Sequence, residues 1–136
     1  MPRRTRAPRL LLIDDNHLLL RALSRELGVR FEVTATTSAR YALRSIADGS
    51  SFDLVLCDCL MEDMTGDDFL RCLAAIDPWQ AGRTVRMSAR PFAWTGQGAL
   101  CLEKPFRVAD VERLLPLLLA REAPTGAPAE LGSAEG

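Results

Sequence analysis

The chain has 136 residues, 48% of them hydrophobic, and a formal net charge of −1, so it is long enough for one domain with a single core. This balanced charge excludes the global basic field that is typical of nucleic-acid and anionic-membrane binding. The apolar run Leu10–Ile13 is far too short for a signal peptide or a membrane span. We therefore expect a cytoplasmic protein that binds neither nucleic acid directly nor membranes.

The two ends of the chain differ in composition from the rest. Residues 1–7 contain several arginines and are expected to form a basic disordered arm, since chain termini commonly fray. Residues 122–136 are rich in Ala, Pro, Gly, Ser and Glu, and Leu131 is their one large apolar side chain. Such a tail buries too little apolar surface to offset the entropy of ordering. We predict one folded domain over residues 8–121, followed by a disordered tail.

Between these ends, apolar segments of strand length alternate with segments of helical periodicity. Strands are predicted over residues 9–14, 30–35, 52–57, 83–88 and 99–103. Helices are predicted over residues 16–27, 38–47, 66–76 and 107–121. Gly28 after the first helix and Ser38 before the second are typical helix-end residues. The alternation predicts an α/β fold in which helices cover both faces of a single, doubly wound parallel sheet.

Five polar residues lie at or just past the carboxyl end of a predicted strand: Asp14, Asp15, Asp58, Ser88 and Lys104. Right-handed crossovers bring the carboxyl ends of parallel strands to one edge of the sheet, where ligands bind. These side chains should therefore converge. Three carboxylates in one place repel each other unless a cation neutralises them. Hard oxygen ligands that are open to water suit Mg²⁺.

A simpler interpretation of Asp14 and Asp15 is that they form the turn and N-cap before the first helix, which aspartate does well. Lys104 favours the functional interpretation. It is the one lysine among seventeen lysines and arginines, and it follows a buried strand directly before Pro105. We therefore predict that a compact ammonium group is required where the planar guanidinium of arginine would not fit.

Four segments carry these residues, and they read LLIDDN (11–16), DLVLCDCLMEDMTGDDFL (53–70), RMSA (86–89) and LEKPF (102–106). In order and spacing they resemble the receiver domain of two-component response regulators, and the resemblance extends over about residues 8–121. It implies the CheY-like, flavodoxin-like fold, with five parallel strands in the order 2-1-3-4-5.

The resemblance also implies a role for each residue of the site. Asp58 is the phosphoacceptor. The metal ligands are Asp14, Asp15, Asp58 and the backbone carbonyl of Leu60. The groups that bind the phosphoryl group are the Ser88 hydroxyl, the backbone N–H of Ala89 and the Lys104 ammonium.

Partners follow from the same resemblance. The phosphoryl donor is the phosphohistidine of a sensor histidine kinase or a phosphotransfer protein, and the chain signals through contacts with an unknown downstream protein. A carboxylate can attack a phosphoryl group to form an acyl phosphate when positioned cations neutralise the charge. We therefore expect no enzyme activity beyond assistance to the chain's own phosphorylation and dephosphorylation.

The sequence departs from the family between Ser88 and Lys104. Fifteen residues have to supply a loop, a helix and the fifth strand there, and Pro91 and the segment GQG (96–98) lower the helix propensity. We expect the helix that receivers carry between their fourth and fifth strands to be shortened or replaced by a loop. Arg86, which shares a strand face with Ser88, should then reach water.

A second departure affects the surface that receivers use to signal. The aromatic switch residue of the family, three positions before the lysine, is replaced here by Cys101, and Phe92 and Trp94 lie in the shortened segment. Packing in the core or a lid is the commoner role of such aromatics. Because aromatic residues are enriched at interfaces, Phe92, Trp94 and Cys101 are also a candidate partner surface.

Two alternatives to a phosphorylated receiver remain. One is a pseudo-receiver, an interaction module whose atypical output face works without phosphorylation. The other is a Mg²⁺-dependent phosphatase with an aspartyl nucleophile. Such an enzyme needs a second aspartate two residues after the nucleophile, and Leu60 stands there, so the titratable acid and base is missing. The complete acidic set, with Ser88 and Lys104, favours the phosphorylated receiver.

Overall fold

Five strands form one parallel sheet. The computed structural model describes residues 6–89 and 100–120. The strands are β1 (Arg9–Ile13), β2 (Glu32–Thr36), β3 (Leu54–Asp58), β4 (Thr84–Ser88) and β5 (Cys101–Glu103). They lie side by side in the order β2-β1-β3-β4-β5, and every pairing is parallel. The predicted α/β fold and its strand order are confirmed.

Five helices connect or follow the strands within these residues. They are α1 (His17–Leu27), α2 (Ala39–Ala47), α3 (Gly66–Ile76), α4 (Pro78–Ala81) and α5 (Val108–Ala120). Side-chain oxygens of Asn16, Ser38 and Thr65 accept hydrogen bonds from N–H groups in the first turns of α1, α2 and α3. Such caps satisfy backbone donors that have no partner inside the helix, which is why these helices begin where they do.

The second strand begins two residues later than predicted, because the end of α1 continues into a turn. The Gly28 N–H donates to the Ser24 carbonyl at 2.9 Å, and the Phe31 N–H donates to the Leu27 carbonyl at 2.8 Å. Strand pairing therefore starts only at Glu32.

Helices cover both faces of the sheet, and successive strand residues point to opposite faces. One face packs against α1 and α5 through Leu10, Leu12, Leu54, Leu56, Val85 and Met87. The other packs against α2 and α3 through Leu11, Ile13, Val55 and Cys57. The central strands are thus buried on both sides, which explains their continuous apolar sequences. In β1 and β3, polar side chains are confined to the strand ends.

The one-turn helix α4 was not predicted from the sequence. It follows α3 directly, with Pro78 at its first position, where proline is favoured, and the Asp77 side chain accepts from the Gln80 N–H. Gln80 is fully buried. Its Oε1 accepts from the Phe52 N–H at 2.9 Å, and its Nε2 donates to the Phe52 carbonyl at 2.8 Å. Gln80 therefore fixes the backbone that leads into β3.

Arg86 does not reach water, and that prediction was wrong. Its side chain is 5% exposed, and its Nη1 lies 3.0 Å from Oδ1 of Asp67 in the first turn of α3. The carboxylate of Asp67 supplies the partner that solvent was expected to supply, which makes burial of the charge tolerable.

Several predictions fall outside the described residues. They concern most of the basic arm, the segment that contains Phe92 and Trp94, the helix expected there to be short, and the tail. These stay predictions. Among the helices that the structure does describe, none combines the length and apolarity that a membrane span needs.

Candidate functional site

The predicted site residues lie at one edge of the sheet. Asp14 and Asp15 directly follow β1, Asp58 ends β3, and Ser88 ends β4. Lys104 follows β5, and its backbone N–H donates to the Ser88 carbonyl at 2.8 Å. Four neighbouring strands contribute because parallel strands present their carboxyl ends at the same edge.

Three carboxylates form a cluster at this edge. One carboxylate oxygen from each of Asp14, Asp15 and Asp58 lies within 4.8 Å of the other two. Asp14 is buried, Asp58 is partly buried and Asp15 is exposed. An octahedral Mg²⁺ ion with bonds of about 2.1 Å holds its ligand oxygens about 3–4 Å apart and keeps several waters. Three hard oxygen donors with an open side fit this ion after small side-chain adjustments.

The N-cap of α1 is Asn16 rather than either aspartate. Its Oδ1 accepts from the Leu19 N–H at 3.1 Å, while Oδ1 of Asp14 accepts from the Asn16 N–H at 2.9 Å. The simpler interpretation of Asp14 and Asp15 as the helix cap is therefore wrong. Asp14 supports the turn with one oxygen and faces Lys104 with the other.

Lys104 bridges two of the three carboxylates. Its Nζ lies 2.9 Å from Oδ2 of Asp14 and 2.8 Å from Oδ1 of Asp58. Burial acts to lower the pKa of Lys104, but hydrogen bonds to Asp58 and Asp14 outweigh it and raise the pKa. For Asp58, burial has the opposite effect and raises the pKa, and the contact with Lys104 only partly opposes this increase. The site thus holds a charged ammonium against a carboxylate that is costly to ionise.

Ser88 ends β4 and Ala89 follows it, and β4 is the strand that pairs with β3, which carries Asp58. In the register of β3 and β4, Asp58 pairs with Met87, so the residues that follow Met87 flank the carboxylate. Ser88 is buried and Ala89 is exposed. A hydrogen bond with Ser88 acts to lower the pKa of the Cys59 thiol, although burial has the larger effect and raises it. The predicted phosphoryl-binding groups are therefore gathered beside the acidic cluster.

The loop between β3 and α3 (residues 59–65) closes on itself. The Gly66 N–H donates to the Cys59 carbonyl at 2.7 Å, and Leu60 forms an isolated antiparallel bridge with Thr65. The side chain of Leu60 is exposed. These contacts fix the Leu60 backbone, whose carbonyl is the fourth predicted metal ligand.

Asp63 joins this loop to α2, a role that the sequence analysis missed. Its carboxylate accepts from the N–H groups of Arg40 at 3.0 Å and Ala39 at 3.4 Å, and from the Ser38 hydroxyl at 3.3 Å. Burial acts to raise the pKa of Asp63, but these hydrogen bonds hold it below its usual value. Nothing local to the loop sequence reveals these partners.

We expect Asp63→Ala to lower the free energy of unfolding by about 1 kcal/mol at neutral pH, the usual cost of a lost helix cap. Because the pKa is lowered in the folded protein, the carboxylate stabilises the fold above its ordinary pKa of 3.8. This contribution is lost as the pH falls through the folded-state pKa. Urea unfolding at a series of pH values should therefore show the difference from wild type shrinking in acid.

Asp63→Asn is the control for this prediction, because its amide oxygen can still accept the backbone hydrogen bonds. It should retain most of the stability that Asp63→Ala loses. Equal losses for both variants, independent of pH, would contradict the capping role of Asp63.

Cys101, one of the three residues of the candidate partner surface, begins β5 and pairs with Arg86 in the sheet register. It is partly buried. Phe92 and Trp94 lie outside the described residues, so the surface stays a prediction. All four cysteines of the chain are free thiols.

Comparison with known families gives a match over most of the chain: the response regulator receiver domain model matches residues 10–112. Comparison with curated proteins finds no match. Among solved structures, a response regulator receiver protein from Sinorhizobium medicae is 27% identical, with a TM-score of 0.70, over 85% of this chain and 96% of that one.

Two further solved structures have a similar fold. A chemotaxis response regulator from Vibrio cholerae is 22% identical, with a TM-score of 0.70, over 83% of this chain and 99% of its own. The receiver domain of a sensor histidine kinase from Pseudomonas aeruginosa is 24% identical, with a TM-score of 0.65, over 85% of this chain and 99% of its own. That domain has a magnesium ion coordinated in its active-site cleft.

The matched range begins at the second residue of β1 and ends within α5, so it contains strands β2 to β5 and nearly all of β1. It also contains every predicted site residue: Asp14, Asp15, Asp58, Leu60, Ser88, Ala89 and Lys104. The order of its five parallel strands is consistent with the CheY-like fold of such domains. The chain therefore belongs to the response regulator receiver domain family.

Proposed function

We propose that this receiver domain is phosphorylated on Asp58 in a two-component phosphorelay, with Mg²⁺ held by Asp14, Asp15, Asp58 and the Leu60 carbonyl. The observation that carries the proposal is the contact of Lys104 Nζ with Asp58 at 2.8 Å and with Asp14 at 2.9 Å. An ammonium placed on a partly buried carboxylate neutralises charge where a phosphoryl group would arrive.

The phosphoryl donor is the phosphohistidine of a sensor histidine kinase or a phosphotransfer protein. A carboxylate oxygen of Asp58 forms the new O–P bond while the P–N bond breaks, and the imidazole nitrogen keeps the bonding electron pair. Mg²⁺, when bound, neutralises charge on the phosphoryl oxygens. The chain assists its own phosphorylation and dephosphorylation and is otherwise no enzyme.

Three groups of the chain bind the transferred phosphoryl group in this proposal. Lys104 pairs with its negative charge, the Ser88 hydroxyl donates a hydrogen bond to it, and the Ala89 N–H donates another. The phosphorylated cytoplasmic protein then signals through contacts with a downstream protein.

A pseudo-receiver is the second candidate function, and two features favour it. The segment between Ser88 and Lys104 has fifteen residues, and Cys101 occupies the position of the family's aromatic switch. A partner surface built there would work whether or not Asp58 carries a phosphoryl group.

Incubation with acetyl phosphate and Mg²⁺, followed by intact mass measurement, tests the proposal. Wild type should gain the mass of one phosphoryl group, and hydroxylamine should remove it, as expected for an acyl phosphate. Asp58→Asn should gain nothing, whereas Asp68→Asn, on the exposed side of α3, should be labelled like wild type. Failure to label wild type, under conditions that label an ordinary receiver, would favour the pseudo-receiver.

A further inference from the structure

The ion pair between Arg86 and Asp67 differs from the other ion pairs away from the acidic edge. Among the described residues, the pairs Arg30–Glu112, Arg71–Asp68 and Arg113–Asp110 join largely exposed side chains. Arg86 is 5% exposed, and its partner Asp67 is 53% exposed. A buried guanidinium requires its carboxylate partner far more than an exposed one does.

Arg86 lies in the sheet register between Cys57 of β3 and Cys101 of β5. Its guanidinium is buried, whereas the carboxylate of Asp67 is half exposed, and the ion pair joins the first turn of α3 to β4. A buried charge that loses an ion-pair partner costs more free energy than an exposed charge does.

The ion pair lies next to the loop between β3 and α3. Asp67 follows Gly66, whose N–H donates to the Cys59 carbonyl at 2.7 Å. That carbonyl belongs to the peptide group between Cys59 and Leu60. The position of Asp67 thus affects, through the Gly66–Cys59 hydrogen bond, the backbone from which the Leu60 carbonyl extends.

The opposite side of the same loop is held by Asp63, through its hydrogen bonds to the beginning of α2. The loop is therefore held to α2 by Asp63 and to β4 in two ways, by the Asp67–Arg86 ion pair and by the Cys59 N–H, which donates to the Met87 carbonyl at 3.1 Å. Arg86 lies two residues before Ser88, so the ion pair helps to fix the Leu60 carbonyl relative to the strand that carries the phosphoryl-binding hydroxyl.

We propose that Arg86 is a positioning residue for the Mg²⁺ site, acting through Asp67, Gly66 and the Cys59 carbonyl on the Leu60 carbonyl. The inference rests on the proposed function, because it takes Leu60 as a metal ligand. Mg²⁺ demands near-ideal octahedral geometry, so a displaced carbonyl oxygen weakens binding even when all three aspartates are in place. In this role Arg86 acts through Asp67 and is not itself a metal ligand.

Asp67→Asn tests the link between the Arg86–Asp67 ion pair and the Leu60 carbonyl, with Asp68→Asn as its matched control. Both variants remove one carboxylate from the first turn of α3, so their effects on net charge and on the helix dipole are alike. Only Asp67 pairs with Arg86, whereas Asp68 pairs with Arg71 at the surface. A difference in Mg²⁺ affinity between the two variants therefore comes from loss of the Arg86–Asp67 ion pair.

The measurement is an amide NMR titration with Mg²⁺ in the absence of a phosphodonor. We expect the Mg²⁺ dissociation constant to rise about tenfold in Asp67→Asn, the lower end of what loss of an outer-shell contact costs, and to change little in Asp68→Asn. Before Mg²⁺ is added, the Leu60 amide resonance should move in Asp67→Asn only. Equal dissociation constants for the two variants would overturn the link.

Two further results show whether a negative outcome comes from misfolding of Asp67→Asn or from an error in the proposed metal site. If Asp67→Asn does not fold, Asp67→Glu retains the charge but moves the carboxylate, and a Mg²⁺ affinity equal to that of wild type would overturn the link. If wild type binds no Mg²⁺ but the Leu60 resonance moves in Asp67→Asn, the link stands and the proposed metal site is wrong. Arg86→Lys, which retains the charge without the planar fork, should fall between wild type and Asp67→Asn.

Discussion

Lys104→Met should slow phosphorylation of Asp58 by acetyl phosphate about a hundredfold, the usual loss when one charge-stabilising group is removed from a reacting centre. Lys104 Nζ contacts both Asp58 and Asp14, so it lies where negative charge has to approach the nucleophile. Methionine has a similar length and no charge. The rate is measured by intact mass against time at saturating Mg²⁺.

The same variant should bind Mg²⁺ more tightly than wild type. Lys104 and a metal ion neutralise the same carboxylates, and without the ammonium the three aspartates attract a cation more strongly. Slower transfer together with tighter metal binding distinguishes loss of Lys104 from general damage to the site, which would weaken both. In metal-free buffer the variant should also be less stable, because the buried Asp14 loses its charged partner.

Lys104→Arg is the matched control, since it retains the positive charge. A planar guanidinium does not reproduce the two contacts of a compact ammonium. Lys104→Arg should therefore restore the stability of the protein more fully than the rate of Asp58 phosphorylation. If Lys104→Met were phosphorylated as fast as wild type, Lys104 would have only a structural role.

The fold could be predicted from the sequence because its central strands are buried on both faces. Runs such as Leu10–Ile13 and Leu54–Cys57 are continuously apolar, and they alternate with capped helices of suitable period. The boundary of β2 was wrong by two residues, because hydrogen bonds at the end of α1 extend the turn as far as Phe31. Strand pairing, rather than local propensity, decides where that strand begins.

The site was predictable for the same topological reason, since parallel strands bring Asp14, Asp58 and Lys104 to one edge. The contacts that support the site could not be predicted in this way. Whether Arg86 meets Asp67 or water depends on how the first turn of α3 lies against β4, and no local pattern encodes that distance. The hydrogen bonds of Asp63 to α2 likewise depend on packing between segments distant in sequence.

Gln80→Leu should lower the free energy of unfolding by about 2–4 kcal/mol, because it leaves two buried backbone groups without their partners. The amide of Gln80 bonds both the N–H and the carbonyl of Phe52. Leucine fills similar space but offers neither a donor nor an acceptor. Urea unfolding followed by circular dichroism measures the loss, and Trp79→Phe, at the neighbouring exposed position, should cost much less.

The stability lost in Gln80→Leu should be separable from function. Phe52 precedes β3 at its amino end, whereas Asp58 lies at its carboxyl end, so the folded variant should be phosphorylated at the wild-type rate below its unfolding temperature. A slower rate in the fully folded variant would mean that α4 positions the site as well as the strand. A loss of stability near zero would mean that water replaces the amide at Phe52, since buried backbone groups are otherwise nearly always paired.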